Sequence, residues 1–589
     1  MTGWKKLLGA GTAAMMLAGT ALVPVAPAVA AARAADTKEQ ARPNIVLIVL
    51  DDVGFSDIGA FGSEIRTPTI DALAADGLRY NRFDTKAICS STRAALLTGR
   101  NSHTVQMADL AAGTDLTDPS RSKAARGELP RNAETVAQAL RSAGYSTWAL
   151  GKWHLVPRGE FDGSVKASWP QQRGFDHFYG FLSGWTDQYK PALVDGYTPV
   201  SAPSSPGYHL TTDLVDHAIA AFDADRASGT GKPSFVYLAL GTAHAPIQAP
   251  RSYIDAYGDL YARGWDVIRE ERFERLKQLG VIPADTELPP INPGDRPWSS
   301  LTDQEKTVFA RFMATYAGFI THADAQIGRL VEHLKQTGQY DNTVFVVLSD
   351  NGAAPEAGQQ GGFKFPYNDQ TSVAEMAREL DKLGGPETQS LYQRPWAMAG
   401  VTPFRRYKLW PYAGGTRTPL IISWSKGIKA KGAVRPQFVD AIDIGPTLLD
   451  LAGTTFHASI DGERQIPVAG RSIRATFVSP SASTRSTQYF ELRGNRAITS
   501  GRWKAVAMHQ FDTDFSGDKW ELFDTATDYS ESRDLSAKYP RKLEELKALW
   551  WKEARKYSDP PLSEPAAAIR RFRQFDDEFP PNAGSEPSP

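Results

Sequence analysis

Short apolar runs alternate with stretches of helical periodicity along most of this chain. The runs that predict buried strands lie at 44–50, 146–150, 234–240, 343–348 and 419–424. The stretches that predict helices between them lie at 67–78, 133–143 and 309–337. This alternation predicts an α/β fold with a mostly parallel sheet that is flanked by helices.

The pattern changes after about residue 480. The short runs that predict a smaller antiparallel sheet lie at 488–492, 497–499, 503–508 and 520–524. A basic amphipathic helix follows at 541–556. We therefore predict a main domain over 42–480 and a C-terminal subdomain over 481–560. Prolines and polar residues then dominate 561–589, which predicts an extended, partly disordered tail.

Residues 1–34 have the pattern of a signal peptide for export. Lys5 and Lys6 form a basic start, a small-residue apolar stretch follows at 7–25, and Ala28-Val29-Ala30 offers a cleavage site. An uncleaved membrane anchor is the alternative, because the apolar stretch is long. The sequence holds no other apolar run of spanning length. We therefore expect an exported protein (secreted, periplasmic or at the cell surface) without stable membrane insertion after cleavage.

Composition narrows the possible partners. The 589 residues are many for one core and favour two subdomains. With 66 basic and 67 acidic residues, the chain has no general attraction for nucleic acid or anionic membranes.

The chain has a single cysteine, Cys89, which has no partner for an internal disulfide. In an exported protein it is therefore a bystander, an intermolecular linker or a reactive group.

Polar side chains follow four of the predicted strands. They are Asp51 and Asp52 after 44–50, Lys152 and His154 after 146–150, His244 after 234–240, and Asp350 and Asn351 after 343–348. Because the carboxyl ends of strands line the ligand crevice of open α/β sheets, we expect these side chains to meet at one edge.

The oxygen-bearing members of this group suggest a metal site. Asp51, Asp52, Asp350 and Asn351 form an all-oxygen donor set, which suits a hard divalent cation such as Ca²⁺ or Mg²⁺. Each pair alone is equally consistent with a simple turn. The occurrence of both pairs at strand ends, beside basic residues, favours the metal.

The basic residues suggest an anion pocket. They are Arg93, Lys152, His154, His244 and Lys408. Singly, each is an ordinary surface or core residue. Together with a cation they would hold a tetrahedral oxyanion, and the expected ligand is a sulfate or phosphate ester.

Cys89 precedes a short predicted helix over 90–98 that Gly99 ends. The helix dipole and free N–H groups favour negative charge at this position, and Arg93 lies one turn along. We therefore expect a nucleophile at residue 89 to be activated.

The run CSSTRAALLTGR at 89–100 resembles the signature of formylglycine-dependent sulfatases, C-x-P-x-R followed by L-T-G-R. Other segments resemble the family in order: RPN at 42–44, DDVGFSD at 51–57, GKWHL at 151–155, RGFD at 173–176, AHAP at 243–246, SDNG at 349–352 and GGTRTP at 414–419. The resemblance covers nearly the whole mature chain and looks strongest to bacterial arylsulfatases. It implies an alkaline-phosphatase-like fold.

The resemblance also implies a mechanism. A formylglycine-generating enzyme would oxidise Cys89, and the hydrated product would attack the sulfur of a small-molecule or carbohydrate sulfate ester. Asp51, Asp52, Asp350 and Asn351, together with residue 89, would hold Ca²⁺, with Mg²⁺ as an alternative. Asp350 would also help to deprotonate the nucleophile.

The family pattern assigns roles to the basic residues as well. Arg93 and His154 would steady the hydrate, and Lys152 and Lys408 would bind the sulfate oxygens. His244 would protonate the leaving alcohol. The assignment of Lys408 rests on its spacing before the GGTRTP segment.

One position departs from the family pattern. Ser91 stands where the family has proline, two residues after the cysteine. We expect conversion of Cys89 nonetheless, because Arg93 and the following LTGR segment are intact.

Two other functions remain open at this stage. A phosphoester or phosphonate hydrolase of the same superfamily would use the same kind of metal and pocket. A catalytically silent protein that binds sulfated ligands is the second alternative.

The alcohol portion of the ester is expected to meet loops at 155–170, 184–198 and 352–401. These loops contain aromatic residues that could stack on a ring of the substrate or could simply pack within the loops. They are Trp185, Tyr189, Phe365, Tyr367 and Trp396.

Overall fold

The computed structural model describes residues 42–111, 123–365, 369, 371–510 and 513–557. The expected signal peptide at 1–34 and the expected tail at 561–589 lie outside the described residues. No helix in the described ranges is long and apolar enough to cross a membrane.

The strands of the described chain are short. They are β1 (Asn44–Leu50), β2 (Gly77–Tyr80), β3 (Phe83–Asp84), β4 (Ser146–Lys152), β5 (His177–Phe181), β6 (Leu193–Asp195), β7 (Thr198–Val200), β8 (Ser234–Ala239), β9 (Thr343–Ser349), β10 (Leu420–Ser423), β11 (Ala433–Arg435), β12 (Val439–Asp440), β13 (Ser459–Ile460), β14 (Glu463–Arg464), β15 (Thr487–Leu492), β16 (Asn495–Ser500), β17 (Trp503–Ala507) and β18 (Trp520–Asp524). All five predicted main-domain strands are present. β4 runs two residues past its predicted end, so Lys152 closes the strand instead of following it.

The main sheet has the strand order β11-β2-β10-β9-β1-β8-β4-β5-β6-β7. Its centre, from β9 to β5, is parallel. β10 is antiparallel to both of its neighbours, and β6 and β7 form an antiparallel edge. The predicted mostly parallel sheet is confirmed, with antiparallel strands on both sides of a parallel centre.

Helices of the described chain lie on both faces of the main sheet and on the C-terminal sheet. They are α1 (Pro68–Ala75), α2 (Cys89–Thr98), α3 (Val136–Ser142), α4 (Leu210–Ala227), α5 (Arg251–Asp255), α6 (Trp265–Gln278), α7 (Asp303–Gln336), α8 (Val373–Arg378), α9 (Arg394–Gly400), α10 (Ala413–Thr416), α11 (Ile444–Leu451) and α12 (Pro540–Tyr557). Alternate residues of β1 enter two separate cores: Ile48 packs with α4 and α7, and Leu47 packs with α2, α3 and α11. The helical layers therefore hold the central strands rigidly between them.

All three predicted main-domain helices differ from the observed ones at their ends, and the helix expected over 133–143 is observed over Val136–Ser142. The helix expected over 67–78 ends at Ala75, because Leu78 belongs to β2 and is buried against β10. The helix expected from residue 309 begins at Asp303, where Thr302 and Glu305 form a reciprocal capping box. That box is visible in the sequence as T-x-x-E before the apolar pattern.

The C-terminal part contains the predicted antiparallel sheet and helix. β15 to β18 pair in sequence order, and α12 packs across them through the fully buried Trp550. The indole of Trp550 donates a hydrogen bond to the Phe490 carbonyl at 3.0 Å. The domain boundary at residue 480 stays a prediction.

A buried ion cluster fixes the loop that follows β1. The Arg272 guanidinium on α6 lies 2.6 Å from Asp57 and 2.8 Å from Glu64, and its side chain is fully buried. The Asp57 carboxylate also accepts hydrogen bonds from the Gly54 amide and the Tyr316 hydroxyl. This cluster ties the chain directly after Asp51 and Asp52 to two helices.

We expect Arg272→Met to lower the free energy of unfolding by about 3–5 kcal/mol, because it leaves two carboxylates buried without their cation. Chemical denaturation measures this loss. Arg275→Met on the same helix is the matched control, since Arg275 is 35% exposed and lies 3.5 Å from Glu271. Its loss should stay below about 1 kcal/mol. Equal losses in the two variants would contradict a structural role for the cluster.

Candidate active site

The carboxyl ends of β9, β1, β8 and β4 lie side by side and place the predicted site residues together. Backbone hydrogen bonds join the loops there. The Asp51 amide donates to the Thr242 carbonyl at 2.6 Å, and the Asp350 amide donates to the Leu50 carbonyl at 3.1 Å. The loop with Lys408 arrives from another part of the chain, and its amide donates to the Ala353 carbonyl at 3.1 Å.

An acidic cluster lies at the centre of this edge. Ligand atoms of Asp51, Asp52, Cys89 and Asp350 all lie within 4.8 Å of one another, and all four residues are buried. Asn351 adjoins them, donating through Nδ2 to Asp52 Oδ1 at 2.5 Å. Within the described chain, the Oδ1 atoms of Asp350 and Asn351 are buried without a hydrogen-bond partner. These oxygen donors fit a hard divalent cation.

Each carboxylate of the cluster has its own cation. The N···O distances are 2.6 Å for Lys152–Asp51, 3.0 Å for Lys408–Asp52 and 2.7 Å for Arg93–Asp350. Such pairing offsets the large cost of burying isolated charges. The three carboxylates of the cluster therefore lie beside three different cations in a small buried volume.

The protonation of the acidic cluster follows from these neighbours. Burial raises the pKa of the Asp52 carboxyl, but Lys408, His244 and Lys152 outweigh burial and hold that pKa at about 2. Burial and the charge of Asp51 raise the pKa of Asp350 to about 6. The cluster thus holds carboxyls of unequal acidity, because burial and Asp51 dominate at Asp350, whereas neighbouring cations dominate at Asp52.

Cys89 begins α2, and Gly99 ends that helix in the left-handed conformation with φ 63°, as predicted. The Cys89 thiol lies 3.6 Å from Asp51 Oδ1. Burial raises the pKa of this thiol, and Asp350 and Asp51 add to the rise although Lys152 opposes it. The expectation that the helix terminus activates residue 89 is therefore wrong for an unmodified thiol.

Both predicted histidines lie in the pocket. Burial lowers the pKa of His154 well below its usual value, with Lys152 and Arg93 adding to the shift. Gly184 packs against this imidazole so closely that a Cβ would lie 2.6 Å from its Cε1 atom. Burial lowers the pKa of His244 to about 4, and its Nε2 lies 3.8 Å from Asp52 Oδ2. Both rings are neutral in the unliganded pocket near pH 7.

Two site residues escaped the sequence analysis. The Tyr237 hydroxyl accepts a hydrogen bond from Arg93 Nη1 at 3.3 Å. Tyr237 carries a hydroxyl within the otherwise apolar run of β8, and this feature could have marked it as a site residue in the sequence. Glu356 Oε1 lies 2.9 Å from Lys408 Nζ. Nothing in the sequence marks this glutamate, because only the fold brings it to Lys408.

The predicted rim aromatics divide into separate groups. Trp185 is 39% exposed and meets Phe365 edge to face, with ring centroids 4.4 Å apart. Phe365 in turn lies 6.2 Å from the His244 ring, so this pair adjoins the pocket. Trp396 is fully buried in the core and is wrong as a rim residue. Tyr367 lies outside the described residues.

The sequence matches two family models. The sulfatase model matches residues 43–454, and the model described as N-sulphoglucosamine sulphohydrolase, C-terminal, matches residues 406–556. The chain is 32% identical over 469 residues to an arylsulfatase of Klebsiella aerogenes, covering 78% of this chain and 96% of that protein. It is 31% identical over 533 residues to an uncharacterized sulfatase of Schizosaccharomyces pombe, covering 87% and 93%.

Solved structures show the same fold. Ps i-CgsB in complex with k-i-k-neocarrahexaose has a TM-score of 0.61 and 24% identity, covering 92% of this chain and 100% of that chain. A phosphonate monoester hydrolase from Silicibacter pomeroyi has a TM-score of 0.54 and 20% identity, covering 89% and 97%.

The fold and the family matches define a sulfuric ester hydrolase with an alkaline-phosphatase-like architecture. This chain belongs to the sulfatase family.

Proposed function

We propose that this protein hydrolyses sulfate monoesters of the arylsulfatase type, with residue 89 in its formylglycine form and Ca²⁺ in the acidic cluster. The observation that carries the proposal is the buried cluster of Asp51, Asp52, Asp350 and Cys89. It lies beside Lys152 and cations from two other parts of the chain. Such a pocket suits a small tetrahedral dianion or monoanion.

The metal proposal rests on the donor set. Asp51, Asp52, Asp350 and Asn351 would hold the ion, and residue 89 adjoins them. The partnerless buried oxygens of Asp350 and Asn351 support this choice, because a cation would satisfy both. When bound, Ca²⁺ or Mg²⁺ supplies positive charge that attracts the ester and stabilises the charge developing on its oxygens.

The surroundings of residue 89 support the proposed formylglycine form. A buried thiol with a raised pKa is a poor nucleophile. As a formylglycine hydrate, residue 89 would offer one hydroxyl for attack on sulfur and a second whose deprotonation returns the aldehyde and expels sulfate. A formylglycine-generating enzyme would make this change during maturation of an exported chain.

The neighbouring cations would hold the ester and the nucleophile. Arg93 is fixed by Asp350, by the Lys152 carbonyl and by Tyr237, so its guanidinium is oriented before the ester binds. Lys152 and Lys408 end beside carboxylates that the metal would share, and their ammonium groups would bind sulfate oxygens. This arrangement is a preorganised site, since little must move when an anion enters.

The two histidines would act on the nucleophile and on the leaving group. His154 would steady the nucleophile, and His244 would protonate the leaving alcohol. The pKa of His244 is about 4 without ligand, because it is buried near Lys408. A bound anionic ester would raise that pKa, since an opposite charge nearby favours the imidazolium.

The exposed Trp185, packed against the half-buried Phe365, supports an alcohol portion with a ring. Aromatic faces at a pocket entrance stack on aryl or sugar rings. A solved relative of 21% identity, which covers 88% of this chain, is in complex with its substrate D-glucosamine-2-N,6-O-disulfate. We therefore propose a small-molecule or carbohydrate sulfate ester as the substrate.

We expect the purified protein to turn over 4-nitrophenyl sulfate faster than 4-nitrophenyl phosphate or 4-nitrophenyl phenylphosphonate. Cys89→Ala should lower sulfate turnover by more than about 1,000-fold, because it removes the nucleophile. Release of nitrophenol measures both effects. Faster turnover of the phosphorus esters would favour the phosphoester or phosphonate alternative, which uses the same kind of pocket.

We expect mass spectrometry of the peptide containing residue 89 to find the aldehyde in place of the thiol. Ser91→Pro is a useful comparison, because it restores the family motif within the first helical turn, where proline is tolerated. It also removes the hydrogen bond from Ser91 Oγ to the Met107 carbonyl, which is 2.7 Å long. Its converted fraction should equal or exceed that of the natural sequence. An active protein with only an unmodified thiol would refute the formylglycine proposal.

We expect Ca²⁺ to raise the thermal unfolding midpoint of chelator-treated protein, since binding to the folded state at 100 times Kd stabilises it by about 2.7 kcal/mol. Asp350→Asn should weaken the effect. Asp324→Asn is the control, because that buried carboxylate caps α1 through the Thr69 and Ile70 amides, outside the cluster. An equal Ca²⁺ response in both variants would place the ion elsewhere.

A further inference from the structure

The pocket contains a carboxylate that the proposed reaction does not use. Glu356 is only 8% exposed, and its Oε1 lies 2.9 Å from Lys408 Nζ. Its other oxygen, Oε2, is buried and has no hydrogen-bond partner among the residues that the structure describes. A buried acceptor without a partner is costly, so a donor entering the pocket would restore a missing hydrogen bond.

The surroundings make this oxygen a strong acceptor. Glu356 lines a small pocket next to Asp52, whose other walls include the apolar side chains of Ala245, Ile247 and Leu391. Charges act strongly on one another where apolar walls exclude water. Ala357 lines the same pocket and is half-buried, so the pocket reaches towards solvent.

The charge at this point is not balanced by Lys408. The Lys408 ammonium lies 3.0 Å from Asp52 and 2.9 Å from Glu356, so one positive charge serves two carboxylates. With a metal ion on Asp52, Lys408 would pair with Glu356 through Oε1 alone. Glu356 would keep an oxygen that attracts donors and repels anions.

The pocket lined by Glu356 lies next to the position expected for the alcohol portion of the ester. Two lining residues, Ala243 and Ala245, flank His244, which is the proposed acid for the leaving alcohol. Atoms of the substrate next to the ester oxygen would therefore lie near this pocket.

We propose that Glu356 determines specificity for the alcohol portion of the substrate. Its Oε2 accepts a hydrogen bond from a hydroxyl or ammonium group close to the ester, and its charge disfavours a second anionic group there. The inference rests on the proposed sulfatase function, because it concerns the leaving group of that reaction.

The test uses phenyl sulfates that differ in one meta substituent: hydroxymethyl, its apolar isostere ethyl, aminomethyl or carboxylate. For the natural sequence we expect kcat/KM to be about tenfold higher with hydroxymethyl or aminomethyl than with carboxylate. Glu356→Gln should bring the carboxylate ester to within about twofold of the hydroxymethyl ester, because a neutral amide does not repel it. The comparison uses ratios of kcat/KM between esters within one variant. A general loss of activity caused by displacement of Lys408 therefore cancels.

Glu387→Gln is the matched control, since it removes one negative charge from an exposed position. Its ratios should equal those of the natural sequence. Uniform loss for all four esters in Glu356→Gln would overturn the inference and leave Glu356 as a partner of Lys408 only.

The natural sequence also tests the inference without any variant. Equal turnover of the carboxylate and hydroxymethyl esters would overturn it even if Glu356→Gln folds poorly. Hydrolysis of 4-nitrophenyl sulfate with no such preference would overturn this inference alone. No hydrolysis of any sulfate ester would overturn the proposed function and this inference together.

Discussion

The site depends on the pairing of buried charges at the carboxyl ends of the central strands. Asp51, Asp52 and Asp350 are fully or almost fully buried and lie close together. Three carboxylates in such a volume would repel one another strongly in a medium of low dielectric constant. Each one instead meets a separate lysine or arginine, and this compensation allows the cluster to exist inside a folded protein.

That compensation requires a rigid frame, because ion pairs in the interior are favourable only when their geometry is held. The frame is the parallel centre of the sheet, buried on both faces by helices. Arg272 extends it by fixing the loop after β1 through Asp57 and Glu64. The acidic cluster is thus supported by a second buried ion cluster, which lies on the side of α6 and α7.

Much of this arrangement could be predicted from the sequence. The strand over 44–50 has the predicted bounds, and the polar residues after the strands lie at one edge, as the rule for open α/β sheets requires. Other features could not be predicted. Trp396 resembles a rim aromatic in a loop segment, but its indole donates to the Phe309 carbonyl inside the core. Leu78 fits a helical pattern, but strand pairing with β10 decides its conformation.

The sequence by itself determined the family, the α/β class and the identity of the clustered residues, because these are encoded in local motifs and in hydrophobic periodicity. Only the tertiary structure decided their electrostatic state. The helix terminus alone favours an ionised Cys89, whereas burial and the nearby carboxylates raise the pKa of that thiol. Likewise, Glu356 enters the pocket only through its contact with Lys408, which lies 52 positions further along the chain. Desolvation and long-range charge pairing arise only when the chain is packed, so no local sequence pattern predicts them.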